Sequence, residues 1–159
     1  MKQTLLFILF SAMAHLCMSQ RTFIVDGITY QVIKESDEVN AVGLVEVTWM
    51  RNTSVYSGSI QIPNAVKESS DSYADTYKII GIGENAFKAS KQLRYVKLSP
   101  SIEYIGNSAF EGCTNLTNLK IPVGVKSIGY NAFSCCTSMT GFYVDENNEY
   151  FTSNDCGIL

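Results

Sequence analysis

Three hexapeptides, IGENAF at Ile82–Phe87, IGNSAF at Ile105–Phe110 and IGYNAF at Ile128–Phe133, recur at a step of 23 residues. The register holds beyond them. Ile79, Ile102 and Val125 align, as do Leu93, Leu116 and Met139, then Val96, Leu119 and Phe142, then Leu98, Ile121 and Val144. A fixed period of about 20 to 50 residues is the mark of a stacked array, in which each unit buries its apolar side only against its neighbours. Such an array presents a surface. Little in the repeat itself looks like chemistry.

Each unit reads as a short strand from its Leu-x-x-Val-x-Leu portion, paired in parallel one repeat away. Strands sit about 4.8 Å apart, so equivalent side chains form columns. Phe87, Phe110 and Phe133 make one predicted core column, with Leu93, Leu116 and Met139 as another. Ala86, Ala109 and Ala132 form a small one where the chain turns. Gly83, Gly106 and Gly129 stand where the backbone needs unusual dihedrals or close approach. A short helical turn is expected after each of these glycines.

The start of the chain differs. Met1 and Lys2, the apolar run Leu5 to Ala14, and Cys17-Met18-Ser19 before Gln20 read as a signal peptide over residues 1–19. The apolar run is shorter than the roughly 20 residues a spanning helix needs, so no transmembrane segment is expected. Lipidation at Cys17 is the competing reading, with Leu16 where a small residue would be wanted. Loss of Lys2 takes the formal charge from −3 to −4. No basic cluster remains, which argues against nucleic acid as a partner. The only histidine, His15, lies in the leader. Its removal would exclude Ser-His and Cys-His catalysis and histidine metal sites.

Residues 20–59 read as an N-terminal antiparallel β cap, since an array leaves an open core and a bare sheet edge at its end. Phe23 to Tyr30 carries a hairpin signal around Asp26-Gly27, a pair that tolerates the positive φ of a type I′ turn. Val45 to Trp49 reads as a strand. The array is placed at 60–145. Ile60-Gln61-Ile62-Pro63 is a displaced first strand, 36 residues before its equivalent, with an insertion within 64–78 that reads as a loop or small hairpin. Residues 146–159 read as a terminal turn or partial cap.

The pattern I-G-x-x-A-F-x-x-C-x-x-L-x-x-L-x-I-P, fullest from Ile105 to Pro122, resembles the BspA-like leucine-rich repeats. The likeness covers residues 79–144 well and the preceding segment more loosely. It implies a mostly β, nominally α/β solenoid: a short right-handed array of 23-residue units with a parallel concave sheet. It also implies recognition or adhesion outside the cell, secreted or at the surface. Ser90 replaces the first repeat's cysteine, Met139 replaces a leucine, and Phe151-Thr152 stand where Ile-Gly would next fall.

The candidate ligand face comprises the side chains between core positions: Tyr95, Lys97, Asn118, Lys120 and Tyr143, with Gly141 between. Tyrosine with lysine on a flat sheet suits sugar stacking or a peptide grip; it equally suits a strand face kept soluble. Cys113 and Cys136 share one column, as buried thiols or as a disulfide, and Cys135 with Cys156 is a second pairing. Asp145, Glu146, Glu149 and Asp155 read as a solvated turn, because their spacing is not that of an EF-hand. Asn52-Thr53-Ser54 and Asn115-Leu116-Thr117 match a glycosylation sequon. No acidic pair with glycosidase spacing is identifiable. The reading is therefore a non-enzymatic binding module without cofactor or metal, whose partner is an extracellular protein, matrix or glycan ligand. A structural, accessory or inhibitor-like scaffold for another exported protein is the alternative.

Overall fold

The computed structural model describes residues 21–35, 42–49, 56–69 and 75–153. The proposed leader, the sequon at Asn52, and Asp155 and Cys156 lie outside them. Eleven strands are formed by the described residues: β1 (Thr22–Val25), β2 (Ile28–Lys34), β3 (Gly43–Val47), β4 (Ser57–Gln61), β5 (Ala65–Lys67), β6 (Thr76–Ile82), β7 (Gln92–Lys97), β8 (Tyr104–Ile105), β9 (Asn118–Ile121), β10 (Ser127–Ile128) and β11 (Gly141–Val144).

They make two sheets around one apolar core. The first runs β1-β2-β3-β6-β8-β10, with β5 antiparallel to β6; the second runs β11-β9-β7-β4. A single parallel sheet was the expectation. There are two because each unit contributes twice, once before and once after its proline or serine corner. Leu119 pairs with Val96, Phe142 with Leu119, and Ile128 with Ile105, each 23 residues apart. Ile60 pairs with Val96, so the displaced first strand keeps register despite the longer connection. That connection contains the β5–β6 hairpin, and β6 itself is the first sheet's central strand, beginning inside the segment read as an insertion.

The N-terminal strands do not stand apart from the array. Asp26 and Gly27 take φ of 50° and 76°, turning β1 into β2 as the Asp-Gly pair dictates. β2 then pairs antiparallel with β3, and β3 pairs in parallel with β6. The third strand occupies Gly43–Val47, slightly earlier than Val45–Trp49. Two tyrosines fasten this edge. The Tyr104 ring lies over Gly81, where no Cβ could fit, and its hydroxyl donates to Glu46 Oε2 at 2.6 Å. The Tyr77 ring lies against Gly43 in the same way, and its hydroxyl donates to Glu35 Oε2 at 2.9 Å and accepts from Arg21 Nη1 at 3.1 Å. Arg21 also pairs with Glu35 and with Glu68. Burial raises the Tyr104 phenol and the Glu46 carboxyl, so both favour the neutral form.

The expected helical turn is not formed, and the described residues contain no helix. Hydrogen-bond accounting explains this. The amides of Asn85, Phe87 and Ala89 donate to the carbonyls of Asn107, Ala109 and Glu111 in the next unit, at 3.0, 2.7 and 2.7 Å. Between them, the amides of Ala86, Lys88 and Ser90 close local turns onto Gly83, Asn85 and Phe87. Half the donors are thus spent sideways, whereas a helix spends all of them along its own axis. Left-handed φ at Asn85, Ser108 and Asn131 (58°, 53° and 56°) breaks any helical run as well. The next left-handed column is Ala89, Gly112 and Cys135.

The column of Gly83, Gly106 and Gly129 reflects close approach alone, with φ outside the left-handed region. A Cβ on Gly106 would sit 2.7 Å from the Glu84 nitrogen, and one on Gly129 would sit 2.5 Å from the Asn107 nitrogen. Phe87, Phe110 and Phe133 stack at centroid separations of 5.0 and 5.4 Å. Leu93 and Leu116 are fully buried, while Met139 and Phe133 are only half-buried.

Candidate binding face

The outward face of the second sheet is built by alternation. In β7, Leu93 and Val96 point inward and are buried, leaving Tyr95 and Lys97 exposed. In β9, Leu119 and Ile121 are buried and Lys120 is exposed, with Asn118 half-buried. In β11, Tyr143 is exposed beside half-buried Phe142 and Val144. The register brings these residues into two rows. Gly141 pairs with Asn118 and Tyr143 with Lys120, while the Val96–Leu119 pair sets Tyr95 beside Asn118 and Lys97 beside Lys120.

The structure adds two residues that the repeat pattern did not mark. Ser59 pairs with Tyr95, and Gln61 with Lys97. The rows are therefore Ser59–Tyr95–Asn118–Gly141 and Gln61–Lys97–Lys120–Tyr143. The signal for them was the displaced Ile60-Gln61-Ile62 strand, whose intervening residues had to face outward. Arg94 is also exposed, at the register shift between Gly58 and Ser59 that breaks the alternation in this strand pair.

The two tyrosines keep 43% and 61% of their surface open, which leaves ring faces free for contact. Lys120 Nζ lies 2.9 Å from Asp145 Oδ2, and this hydrogen bond holds the Asp145 carboxyl below the usual carboxylate range. Asp145 also accepts from the Asn147 amide at 3.2 Å. It therefore belongs to a turn that carries one ion pair. Asn148 is buried in this turn; its side chain donates to the carbonyls of Pro122 and Val125 at 2.8 and 2.9 Å and accepts from the amides of Tyr150 and Phe151. Among the described residues no group of three His, Cys, Asp or Glu could hold a metal.

Cys113, Cys135 and Cys136 are free thiols. Cys113 and Cys136 do share a column, and each donates to a carbonyl in the preceding unit: Cys113 to Phe87 at 3.0 Å, Cys136 to Phe110 at 3.1 Å. Burial pushes the two thiols up to about 12 and about 11. At pH 8 both are thiols and so poor nucleophiles. Iodoacetamide at that pH should label Cys135, which is exposed, while Cys113 and Cys136 stay unmodified until the chain is unfolded. Peptide mass spectrometry checks this; early labelling of Cys113 would contradict the buried column.

Parallel strands stacked at a constant sequence offset, with phenylalanine and glycine columns at the turns, define a mostly β repeat protein. The family profile described as BspA type leucine rich repeat region (6 copies) matches residues 58–156, and the chain belongs to this family. No curated protein matches the chain. Among solved structures, it is similar to a leucine-rich repeat protein from Bacteroides ovatus, at 30% identity and a TM-score of 0.61 over 76% of this chain and 28% of that one. It is also similar to a leucine-rich repeat protein from Bacteroides capillosus, at 23% identity and a TM-score of 0.53 over 78% of this chain and 98% of that one. The chain thus spans 28% of the length of the first of these relatives.

Proposed function

We propose that the chain is an exported, non-catalytic binding module that contacts an extracellular protein, matrix or glycan ligand through the outward face of β4, β7, β9 and β11. Residues 1–19 act as its secretion signal, and the mature protein is secreted or held at the cell surface. In this reading residues 60–145 form a short right-handed solenoid of 23-residue units with this sheet on its concave side. Residues 20–59 cap its first end, and 146–159 its last. The observation that carries the proposal is the alignment of Tyr95, Asn118, Lys97, Lys120 and Tyr143 into adjacent rows on one sheet face. Leucine-rich repeat proteins are generally interaction modules, which supports the same reading. Fold alone does not name a ligand.

Area limits the mode of binding. Four strands about 4.8 Å apart and about 17 Å long offer roughly 300 Å². A stable globular interface takes about 800 Å² from each partner. The face suits a small or extended ligand, or weak contacts multiplied by valency. A glycan and matrix-protein array probed with the purified protein should give a ligand whose capture is lost in the Tyr95→Ala/Tyr143→Ala double variant. Capture that survives the double variant would move the site off this face. An empty array together with a stable native complex in the cell envelope would favour the scaffold reading.

A further inference from the structure

The ligand face is more cationic than the protein that carries it. The chain has a net charge of −3, yet β4, β7, β9 and β11 hold Arg94, Lys97 and Lys120 and no Asp or Glu. Lys97 and Lys120 stand side by side on adjacent strands, set there by the Val96–Leu119 pair. Like charges directly opposite one another destabilise a sheet. Elsewhere on the surface the repeat solves this by alternation: Glu103 pairs with Lys126 at 2.8 Å and with Lys78 at 3.6 Å, and Lys88 pairs with Glu111 at 2.9 Å. On the candidate face Lys120 has Asp145 at the rim, while Lys97 has no ion-pair partner among the described residues. The chain can place a counter-charge one unit away, and beside Lys97 it places a second cation.

We propose that this face binds an acidic oligosaccharide, its carboxylate or sulfate groups set against Lys97 and Lys120 and its sugar rings against Tyr95 and Tyr143. The inference rests on the binding-module reading and adds the ligand class to it. Three features favour a glycan over an acidic peptide. β7 and β9 are flanked by a strand on each side in the order β11-β9-β7-β4, so a peptide laid over the middle of the face has no free strand edge to extend there. A cavity of about 400 Å³ between the β1–β2 turn and β4 reaches the rows only at their Ser59 and Gln61 end, and a second lies among Ile128, Phe133 and Phe142; neither is lined by Tyr95, Lys97, Asn118, Lys120 or Tyr143, so these residues form an open surface and not a pocket for peptide side chains. What they do offer is exposed flat rings, with the amides of Asn118 and Gln61 and the Ser59 hydroxyl within the same two rows, and these match the C–H faces and hydroxyls of a sugar ring.

The test is titration calorimetry of the purified protein with four probes: an oligogalacturonate, its methyl ester, a heparin-derived oligosaccharide, and poly-glutamate of similar charge. Binding of either acidic saccharide is expected, about tenfold or more tighter than the ester and the peptide, which corresponds to about 1.4 kcal/mol. Preference between the two acidic saccharides separates carboxylate from sulfate recognition. The affinity should fall as salt rises, because the ion pairs are exposed. Lys97→Gln/Lys120→Gln should lose that preference while keeping the wild-type unfolding midpoint. Equal binding of ester and acid, stronger binding of poly-glutamate, or no saccharide binding would each overturn the proposal. Binding lost in Tyr95→Ala/Tyr143→Ala but unchanged in the lysine variant would overturn the acidic-ligand assignment and leave the face as the site. Binding unchanged in both variants would overturn the two readings together.

Discussion

Phe110→Ala should lower the stability of this protein by about 3–5 kcal/mol, the usual cost of deleting a fully buried aromatic ring. The ring has no exposed surface and sits between two others, 5.0 Å from Phe87 and 5.4 Å from Phe133, with interplanar angles of 11° and 9°. Its removal opens a gap between two stacked neighbours. Those neighbours cannot close it, because their backbones are held at fixed spacing: the Phe87 amide bonds Ala109 and the Phe110 amide bonds Ala132. Urea unfolding followed by far-ultraviolet circular dichroism measures the loss. Phe133→Ala is the internal control and should cost less, because Phe133 is only half-buried. Equal midpoints for wild type and Phe110→Ala would count against the column as a main source of stability.

Gly106→Ala should also destabilise, by about 1–3 kcal/mol, the range for overpacking a close-packed interior. This is the smallest substitution available, and helix or strand propensity would favour it. Geometry reverses the sign. The added Cβ would meet the Glu84 nitrogen at 2.7 Å and the Gly83 carbonyl carbon at 2.8 Å, both backbone atoms of the preceding unit. That backbone cannot retreat without lengthening the Gly106 amide bond to the Ile82 carbonyl, now 2.7 Å. Gly141→Ala is the contrast: nothing lies within 4 Å of the added atom, so little change is expected. Thermal unfolding of the two variants under one condition decides the matter. If they melt together, close approach is not what the glycine column serves.

Much of the architecture was legible before any coordinates, for a definable reason. A repeat reports its own register, so Leu119 opposite Val96 and Phe142 opposite Leu119 followed from counting. Asp26-Gly27 announced its turn through dihedral preference alone. The number of sheets was not legible. The two-residue strands Tyr104–Ile105 and Ser127–Ile128 are too short to show period-two alternation, and their pairing is visible only once the units are stacked. A short helical turn is the local expectation for the segment after each glycine. Bonding to the neighbouring unit outweighed that local preference. Nor could the sequence separate the two explanations for the glycines. Left-handed geometry fell instead on Asn85, Ser108 and Asn131, two positions further on.

The candidate face divides along the same line. Tyr95, Lys97, Asn118, Lys120 and Tyr143 could be named from the alternation of each unit taken alone. Their arrangement into two rows, and the entry of Ser59 and Gln61 into those rows, needed the partner strand. The placement of Tyr104 over Gly81 and onto Glu46 joins residues up to 58 positions apart with no shared motif. By itself the sequence determined the repeat, its register, its core columns and its family, because those depend on interactions that recur at one fixed separation. Only the tertiary structure decided that there are two sheets, that the first strands continue one of them, and which charges stand side by side. Those outcomes depend on which backbone donors face which acceptors after stacking, and no residue carries that information alone.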